Sequence, residues 1–165
     1  MTDARQHPNV RRVVQAAADA GQPIEVQRFA SGTRTAEDAA RAVGCEVAQI
    51  VKSLVFVADG QAVVALVSGS DRLDPNRLGR ALGAQEVRRA DGDEVRAATG
   101  YPIGGVPPFA HATRLPVVID EHLFAHARVW AAAGLPDVVF SISPQALAEV
   151  SAARRAGVAA ELDRG

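Results

Sequence analysis

The chain has 165 residues, of which 48% are hydrophobic and 22% are charged, as in an ordinary globular domain. Its net charge of −1 excludes the broad positive field of a protein that coats nucleic-acid duplexes, so no duplex DNA partner is expected. The lone cysteine, Cys45, excludes an internal disulfide and a multi-cysteine metal site. No apolar run approaches the ~20 residues that span a bilayer, and the polar N-terminus lacks a secretory signal. We therefore expect one cytoplasmic domain over residues 1–165, with no membrane partner.

The first part of the chain is predicted to hold two helices and three strands. Apolar residues at helical spacing predict a helix over 8–20, and a capping-box pattern followed by a closing glycine predicts another over 35–44. A short strand is expected over 24–29. The sequence QIVKSLVFVADGQAVVALV predicts two strands joined by a hairpin turn at Asp59–Gly60.

The second part alternates short strands and helices. An aspartate N-cap with proline after it predicts a helix over 74–83, and Asp91-x-x-Glu94 caps a helix over 92–98. Strand pairs joined by short turns and interleaved with helices favour an α/β (α+β) fold with a mixed, largely antiparallel sheet. The remaining predicted elements are a strand near 86–89, the strand LPVVID ending at Asp120, the helix EHLFAH, the strands RVWAAAG and VVFSIS, and a last helix from Ser143–Pro144.

Lys52 is the only lysine among the 18 basic residues, and all the others are arginine. This bias suggests that lysine is kept where a compact, titratable ammonium is needed. In strand register Lys52 shares a face with Leu54 and Phe56, and both faces of the strand are mainly apolar. From such a partly buried position an ammonium can hold a phosphate or a developing oxyanion. It can equally be a charge that protects an edge strand, and position alone does not decide between the two.

The loop over 104–108, Gly-Gly-Val-Pro-Pro, is the second feature that could serve chemistry. Glycines let a ligand approach the main chain and can direct N–H groups at an oxyanion or a phosphate. Prolines stiffen the loop and so reduce the entropy lost on binding. A stiff loop can also be only a connection between packed elements.

Taken together, the segment QIVKSLVF and, about fifty residues later, TGYPIGGVPPF resemble the YbaK and prolyl-tRNA editing domain family. The segments TAEDAARAVG, VVALVSGSDRLD, LPVVIDEHL and AAAGLPDVVFSISPQAL extend the resemblance over most of the chain. It implies a curved, mixed β-sheet that approaches a barrel and is wrapped by helices. It also implies removal of wrong amino acids from mischarged tRNA. Since the chain has no synthetase modules, we expect a free-standing editor.

The resemblance also implies site residues and partners. Lys52 matches the functional lysine of the family and is the expected catalytic residue. No cofactor or metal is expected, and the partners would be the acceptor end of an aminoacyl-tRNA and, in addition, prolyl-tRNA synthetase. The chain departs from the family at 131–133, where alanines replace a common serine, and this leaves the amino-acid specificity open. The expected substrate-binding residues are Phe29, Ser53, Gly104, Gly105, Val106, Pro107, Pro108 and Asp137.

The expected mechanism needs no strong nucleophile, because an aminoacyl ester is already activated. Lys52 and N–H groups of the 104–108 loop would polarise the ester carbonyl. The attacking group would be water positioned by a tRNA hydroxyl, or the substrate side chain itself. The narrow proline-containing loop favours a small amino acid. The alternatives are a non-catalytic module that binds aminoacyl-tRNA or a nucleotide, and a small-ester hydrolase unrelated to tRNA.

Several other residues allow two interpretations. Tyr101 and Phe109 could stack on a base or anchor the 104–108 loop to the core. His122 lies four residues before a second histidine, a spacing that can bind metal, but no third ligand is evident in the sequence. His111 is interpreted as a surface residue and Trp130 as a core residue. The pairs Arg11–Arg12, Arg88–Arg89 and Arg154–Arg155 are interpreted as solvated faces, although they could form a local basic patch.

Overall fold

The computed structural model describes residues 4–29 and 35–161, so both ends of the expected 1–165 domain lie outside the described residues. Three short 3₁₀ helices span Ala4–Gln6, Val47–Gln49 and Glu121–Ala125. The α-helices are α1 (Pro8–Asp19), α2 (Ala36–Val43), α3 (Pro75–Leu82), α4 (Gly92–Thr99) and α5 (Pro144–Ser151). The strands are β1 (Val26–Arg28), β2 (Val51–Ala58), β3 (Gln61–Ser68), β4 (Val87–Arg89), β5 (Val117–Asp120), β6 (Val129–Ala132), β7 (Val138–Ile142) and β8 (Arg154–Ala156).

Local capping and turn residues account for the ends of most helices. The Asp74 carboxylate accepts hydrogen bonds from the first N–H groups of α3, and a reciprocal capping box between Asp91 and Glu94 opens α4. Left-handed glycines end α2, α3 and α4. At the hairpin between β2 and β3, Asp59 has φ 48° and Gly60 has φ 83°, which suits a tight turn. These predictions are confirmed.

The strands form two sheets. A three-stranded sheet has the order β1-β7-β6 and is antiparallel throughout. A five-stranded sheet has the order β4-β2-β3-β5-β8. In it β2 pairs antiparallel with β3 and β4, whereas β3–β5 and β5–β8 are parallel. The predicted mixed, largely antiparallel arrangement with helices is therefore confirmed.

One predicted element differs in type. EHLFAH forms a short 3₁₀ helix instead of an α-helix. Arg154 and Arg155, which were interpreted as a solvated pair, are both exposed, and they lie in β8, which pairs with β5 at the edge of the sheet. The strands among residues 4–29 and 35–161 do not close into a barrel, because the two sheets remain separate apart from one bridge between Ile50 and Trp130. The approach to a barrel stays a prediction.

One edge of β2 is interrupted in a way that creates the site. β6 meets this edge only at the bridge to Ile50, at the start of β2. β4 pairs with it only from Phe56 onward, and the N–H of Ala90 donates to the carbonyl of Val55. Between these two contacts, none of the described strands pairs with residues 52–54 on that edge. A short gap therefore opens in an otherwise paired strand.

Apolar packing on both faces of β2 holds this gap in place. Val51 and Val55 belong to the larger core, which also contains the buried face of α1 and residues of β6 and β7. On the opposite face, Phe56 packs in a second cluster with Leu78 of α3.

In the described part of the chain, no helix is both long and apolar enough to cross a bilayer.

Candidate functional site

A cavity of about 280 Å³ lies at the gap in the edge of β2. Its walls come from α2, β2, the end of β4, α4, the loop before β5 and strands β6 and β7. Most of the wall is apolar. Of the residues predicted for the site, four line the cavity, namely Lys52, Ser53, Gly104 and Val106. The structure therefore brings the lysine strand and the glycine–proline loop to one cleft.

Lys52 extends from the middle of β2 into a partly enclosed environment. Its Nζ donates a hydrogen bond to the main-chain carbonyl of Asp71, in the turn that follows β3. Burial lowers the pKa of the Lys52 ammonium, although the negative charges of Asp71 and Glu37 oppose that shift. Arg89 and Arg72 add to the lowering because they are also positive. The amine is thus fixed in position and is more easily deprotonated than a surface lysine.

Ser53 offers the cavity an unused hydroxyl. Its Oγ is buried and has no hydrogen-bond partner among the described residues. Along a β-strand, the main-chain groups of alternate residues face the same edge. The carbonyl of Val55 faces the interrupted edge of β2, where it accepts the N–H of Ala90. The main-chain N–H and C=O of Ser53 face the same edge, where the gap leaves them without a partner strand. A ligand in the cavity therefore meets a donor, an acceptor and a hydroxyl on one residue.

The 104–108 loop is rigid and only part of it faces the cavity. Gly104 has φ 93°, a conformation that strains any residue with a side chain. A Cβ on Gly105 would lie 3.2 Å from the carbonyl oxygen of Gly134, so the loop packs directly on the turn before β7. The N–H of Gly105 donates to the carbonyl of Pro102, and the prolines at 107 and 108 have no N–H. Only the N–H groups of Gly104 and Val106 are left for a ligand within this loop.

The residues around the loop act as anchors. Tyr101 is fully buried, and its hydroxyl donates to the carbonyl of Ala110 at 2.8 Å. Phe109 is also buried and packs against Phe140, with ring centroids 5.7 Å apart. The anchoring interpretation of both aromatic residues is thus the correct one. His111 was interpreted as a surface residue, but its Nε2 lies 2.8 Å from the Pro107 carbonyl, and burial lowers its pKa.

The other residues predicted to bind substrate lie away from the cavity wall. Gly105, together with the prolines at 107 and 108, is buried in the packing of the loop. Phe29 donates its main-chain N–H to the carbonyl of Asp137. The Asp137 carboxylate accepts a hydrogen bond from Arg28 at 3.1 Å, an ion pair between the ends of β1 and β7. In the described residues these groups support the loop and the adjoining sheet.

Sequence reasoning missed several residues of the wall. Trp130 was interpreted as core, but it is only partly buried and lines the cavity where β6 bridges to β2. Arg89 was interpreted as part of a solvated face, and it lines the cavity as well. Ala39 and Val95 complete the apolar wall from α2 and α4. For Arg89, the only signal in the sequence was the pair Arg88–Arg89, and the pair does not indicate which of the two arginines faces the cavity.

Asp71, whose main-chain carbonyl accepts the hydrogen bond from Lys52, belongs to a polar cluster with Asp120 and His122. The His122 Nδ1 lies 2.9 Å from the Asp71 carboxylate, and this hydrogen bond raises the pKa of His122. The Asp120 carboxylate is fully buried and accepts the main-chain N–H groups of His122, Val158 and Ala159. Because main-chain donors occupy both oxygens of Asp120, the cluster serves to fix the turn that holds Lys52.

The chemistry of the cavity suits an activated ester. An ammonium, a hydroxyl, open main-chain groups at the gap and two loop N–H groups converge on an apolar space. Such donors stabilise the negative charge that develops on a carbonyl oxygen during acyl transfer. The open carbonyl of Ser53 can accept hydrogen bonds from an amino group.

Comparison with known proteins identifies relatives by sequence. An aminoacyl-tRNA editing domain model matches residues 30–150. The proline–tRNA ligase of Acidithiobacillus ferrooxidans is 33% identical over 117 residues, which is 70% of this chain but 20% of the ligase. The chain thus corresponds to about a fifth of that enzyme. The uncharacterized protein YwhH of Bacillus subtilis is 32% identical over 127 residues, covering 77% of this chain and 81% of YwhH.

Solved structures agree with the sequence relatives. The crystal structure of a candidate trans-editing enzyme for prolyl tRNA synthetase is 44% identical, with a TM-score of 0.89 over 94% of this chain and 99% of that one. The hypothetical protein APE2540 is 30% identical, with a TM-score of 0.84 over 90% of this chain and 99% of that one. The family model covers well over half of the sequence, and the fold matches throughout. The chain belongs to the aminoacyl-tRNA editing domain family.

Proposed function

We propose that this protein is a free-standing aminoacyl-tRNA deacylase that removes a wrong, small amino acid from mischarged tRNA. The observation that carries the proposal is the cavity at the gap in β2, which Lys52, Gly104 and Val106 all line. Family membership supports the reaction class. The proposed partners are the acceptor end of the tRNA and prolyl-tRNA synthetase. One domain over 1–165 carries the activity.

In the proposed reaction, water attacks the ester carbonyl, and the carbon–oxygen bond to the terminal ribose breaks. Lys52 and the N–H groups of Gly104 and Val106 stabilise the tetrahedral oxyanion. The proton that the attacking water loses is taken up by the leaving ribose oxygen, which becomes a hydroxyl, and the amino acid is released with the oxygen of the water in its carboxyl group. The hydroxyl and carbonyl of Ser53 bind the amino group of the substrate. The protein supplies placement and charge stabilisation instead of a covalent nucleophile.

The size of the cavity supports a small amino acid. Its volume of about 280 Å³ lies just below the range, about 300–1,000 Å³, that is usual for ligand pockets. Alanines from α2 and β6 reduce the polar character of the wall without adding bulk. An aminoacyl group with a short side chain fits such a space together with part of the ribose.

Deacylation of a panel of mischarged tRNAs tests this proposal. Alanine, serine and cysteine esters are expected to be hydrolysed faster than esters of large aromatic amino acids, since one methylene changes discrimination by about 1–3 kcal/mol. Preference for the aromatic esters would refute the small-substrate assignment. Binding of charged tRNA without loss of the ester in a single turnover would instead support the non-catalytic binding module.

Ser53→Ala is expected to separate stability from activity. Because the Ser53 hydroxyl has no hydrogen bond to the described residues, its removal should leave the free energy of unfolding unchanged or raise it by up to about 1 kcal/mol. Deacylation should fall about tenfold, the effect of losing one hydrogen bond to the substrate. Denaturant titration and single-turnover kinetics measure the two quantities.

Ser68→Ala is the matched control for that variant. The Ser68 hydroxyl lies within 2.8 Å of the carbonyl of Ala48, to which it donates a hydrogen bond. Its loss should destabilise the fold by about 1 kcal/mol. If Ser53→Ala destabilised the protein as much as Ser68→Ala does, the hydroxyl of Ser53 would not be free for a ligand.

A further inference from the structure

Two adjacent arginines of β4 differ in their surroundings. The guanidinium of Arg88 is bound to the Glu94 carboxylate by two hydrogen bonds, at 2.8 and 2.7 Å. Arg89 lines the cavity and is exposed. Within residues 4–29 and 35–161, its guanidinium has no hydrogen bond or ion pair. An unpaired arginine at the rim of a substrate cavity is available to an anion.

The strand register directs Arg89 toward the lysine. Arg89 is opposite Phe56, and residues paired across a sheet share a face. Lys52 lies on that same face of β2, four residues before Phe56. Arg72, in the turn after β3, is also close enough to act on the Lys52 ammonium electrostatically. Arg89 and Lys52 therefore face the same side of the sheet, and both line the cavity.

Acidic groups do not cancel this charge at Arg89. The acidic groups that act on Lys52 are Asp71 and Glu37. Asp71 is occupied by His122, with its carboxylate 2.9 Å from the ring nitrogen. Glu37 lies in the first turn of α2 and forms no ion pair with Arg89. In the described part of the chain, neither carboxylate pairs with Arg89.

We propose that Arg89 is a phosphate-binding residue that takes the 5′-phosphate of the terminal nucleotide of the tRNA. A guanidinium matches a phosphate with two parallel hydrogen bonds and remains charged at any physiological pH. With the ester held between Lys52 and the 104–106 loop, the ribose and its phosphate extend toward the rim. The inference rests on the proposed function, because it assigns the nucleotide part of the same substrate.

The test measures binding of uncharged tRNA by the wild-type protein and by Arg89→Ala over a range of salt concentrations. Arg89→Ala should weaken binding about tenfold, as expected for one charge-assisted hydrogen-bonded contact. The slope of log affinity against log salt should fall by about one, because one fewer phosphate is neutralised. Hydrolysis of an aminoacyl-adenosine ester, which has no phosphate, should fall far less than hydrolysis of charged tRNA at subsaturating substrate.

Arg88→Ala is the matched control, since it removes the same charge from the same strand. It should change neither the affinity nor the salt slope. Wild-type affinity and slope in Arg89→Ala would overturn the proposal, and so would an equal loss in Arg88→Ala. If the wild-type protein bound tRNA through Arg89 but hydrolysed no ester, the deacylase assignment would fail while the phosphate site stood.

Discussion

Lys52→Ala is expected to reduce deacylation of a mischarged tRNA by about 100-fold or more, the usual loss when one oxyanion donor is removed. The ammonium is held in place by the Asp71 carbonyl and lies in the wall of the cavity. Alanine would leave the developing oxyanion with only the N–H groups of the loop. Single-turnover hydrolysis at saturating enzyme measures the chemical step without the contribution of tRNA binding.

Two further measurements make the Lys52 prediction specific. Lys52→Arg should also be impaired, because a planar guanidinium is larger and cannot replace a compact ammonium in a partly buried position. The melting temperature of Lys52→Ala should stay close to the wild-type value, since burial disfavours the ammonium in the folded protein. An unchanged rate in a folded Lys52→Ala variant would exclude the proposed mechanism.

Asp120→Ala is expected to lower the free energy of unfolding by about 3 kcal/mol or more. The carboxylate is fully buried and accepts hydrogen bonds at 2.8 and 3.0 Å from the N–H groups of Val158 and Ala159. It also accepts the N–H of His122 at 3.0 Å. Alanine would leave these donors unsatisfied, two of them buried, and each lost partner costs about 1–3 kcal/mol. Urea titration followed by circular dichroism measures the change.

Glu121→Ala is the control for Asp120→Ala, because it removes an adjacent carboxylate that is exposed. We expect it to change stability by no more than about 0.5 kcal/mol. Asp120→Asn should fall between the two, as its amide keeps one oxygen acceptor. Equal stability of Asp120→Ala and Glu121→Ala would contradict the structural role assigned to Asp120.

Elements defined by short-range chemistry were predictable from the sequence. The N-cap at Asp74, the capping box at Asp91 and the turn at Asp59–Gly60 each depend on a few neighbouring residues, and all three were found. The strand that carries Lys52 was predictable for the same reason, since alternation and the hairpin turn fix its register. The resemblance to the editing family then predicted that the 104–108 loop lies beside Lys52.

Features that depend on long-range pairing were not predictable. The gap in β2 exists because β4 and β6 each reach only one end of the same edge, and no local pattern encodes where they stop. Trp130 and Arg89 line the cavity for that reason alone. The hydrogen bonds that Asp120 accepts from Val158 and Ala159 were equally unpredictable, because these residues are 38 and 39 positions away in the sequence.

The interrupted edge of β2 affects how the protein can change during evolution. In the proposed complex, part of the affinity for substrate would come from peptide groups, which every residue except proline supplies in full. Substitutions in the cavity wall can therefore alter which acyl group is accepted while these contacts persist. A bare strand edge also attracts foreign strands, but here it is only a few residues long and flanked by a helix and a rigid loop. The short length of the gap thus leaves main-chain groups open to a small ligand but offers too few of them to pair with a foreign strand.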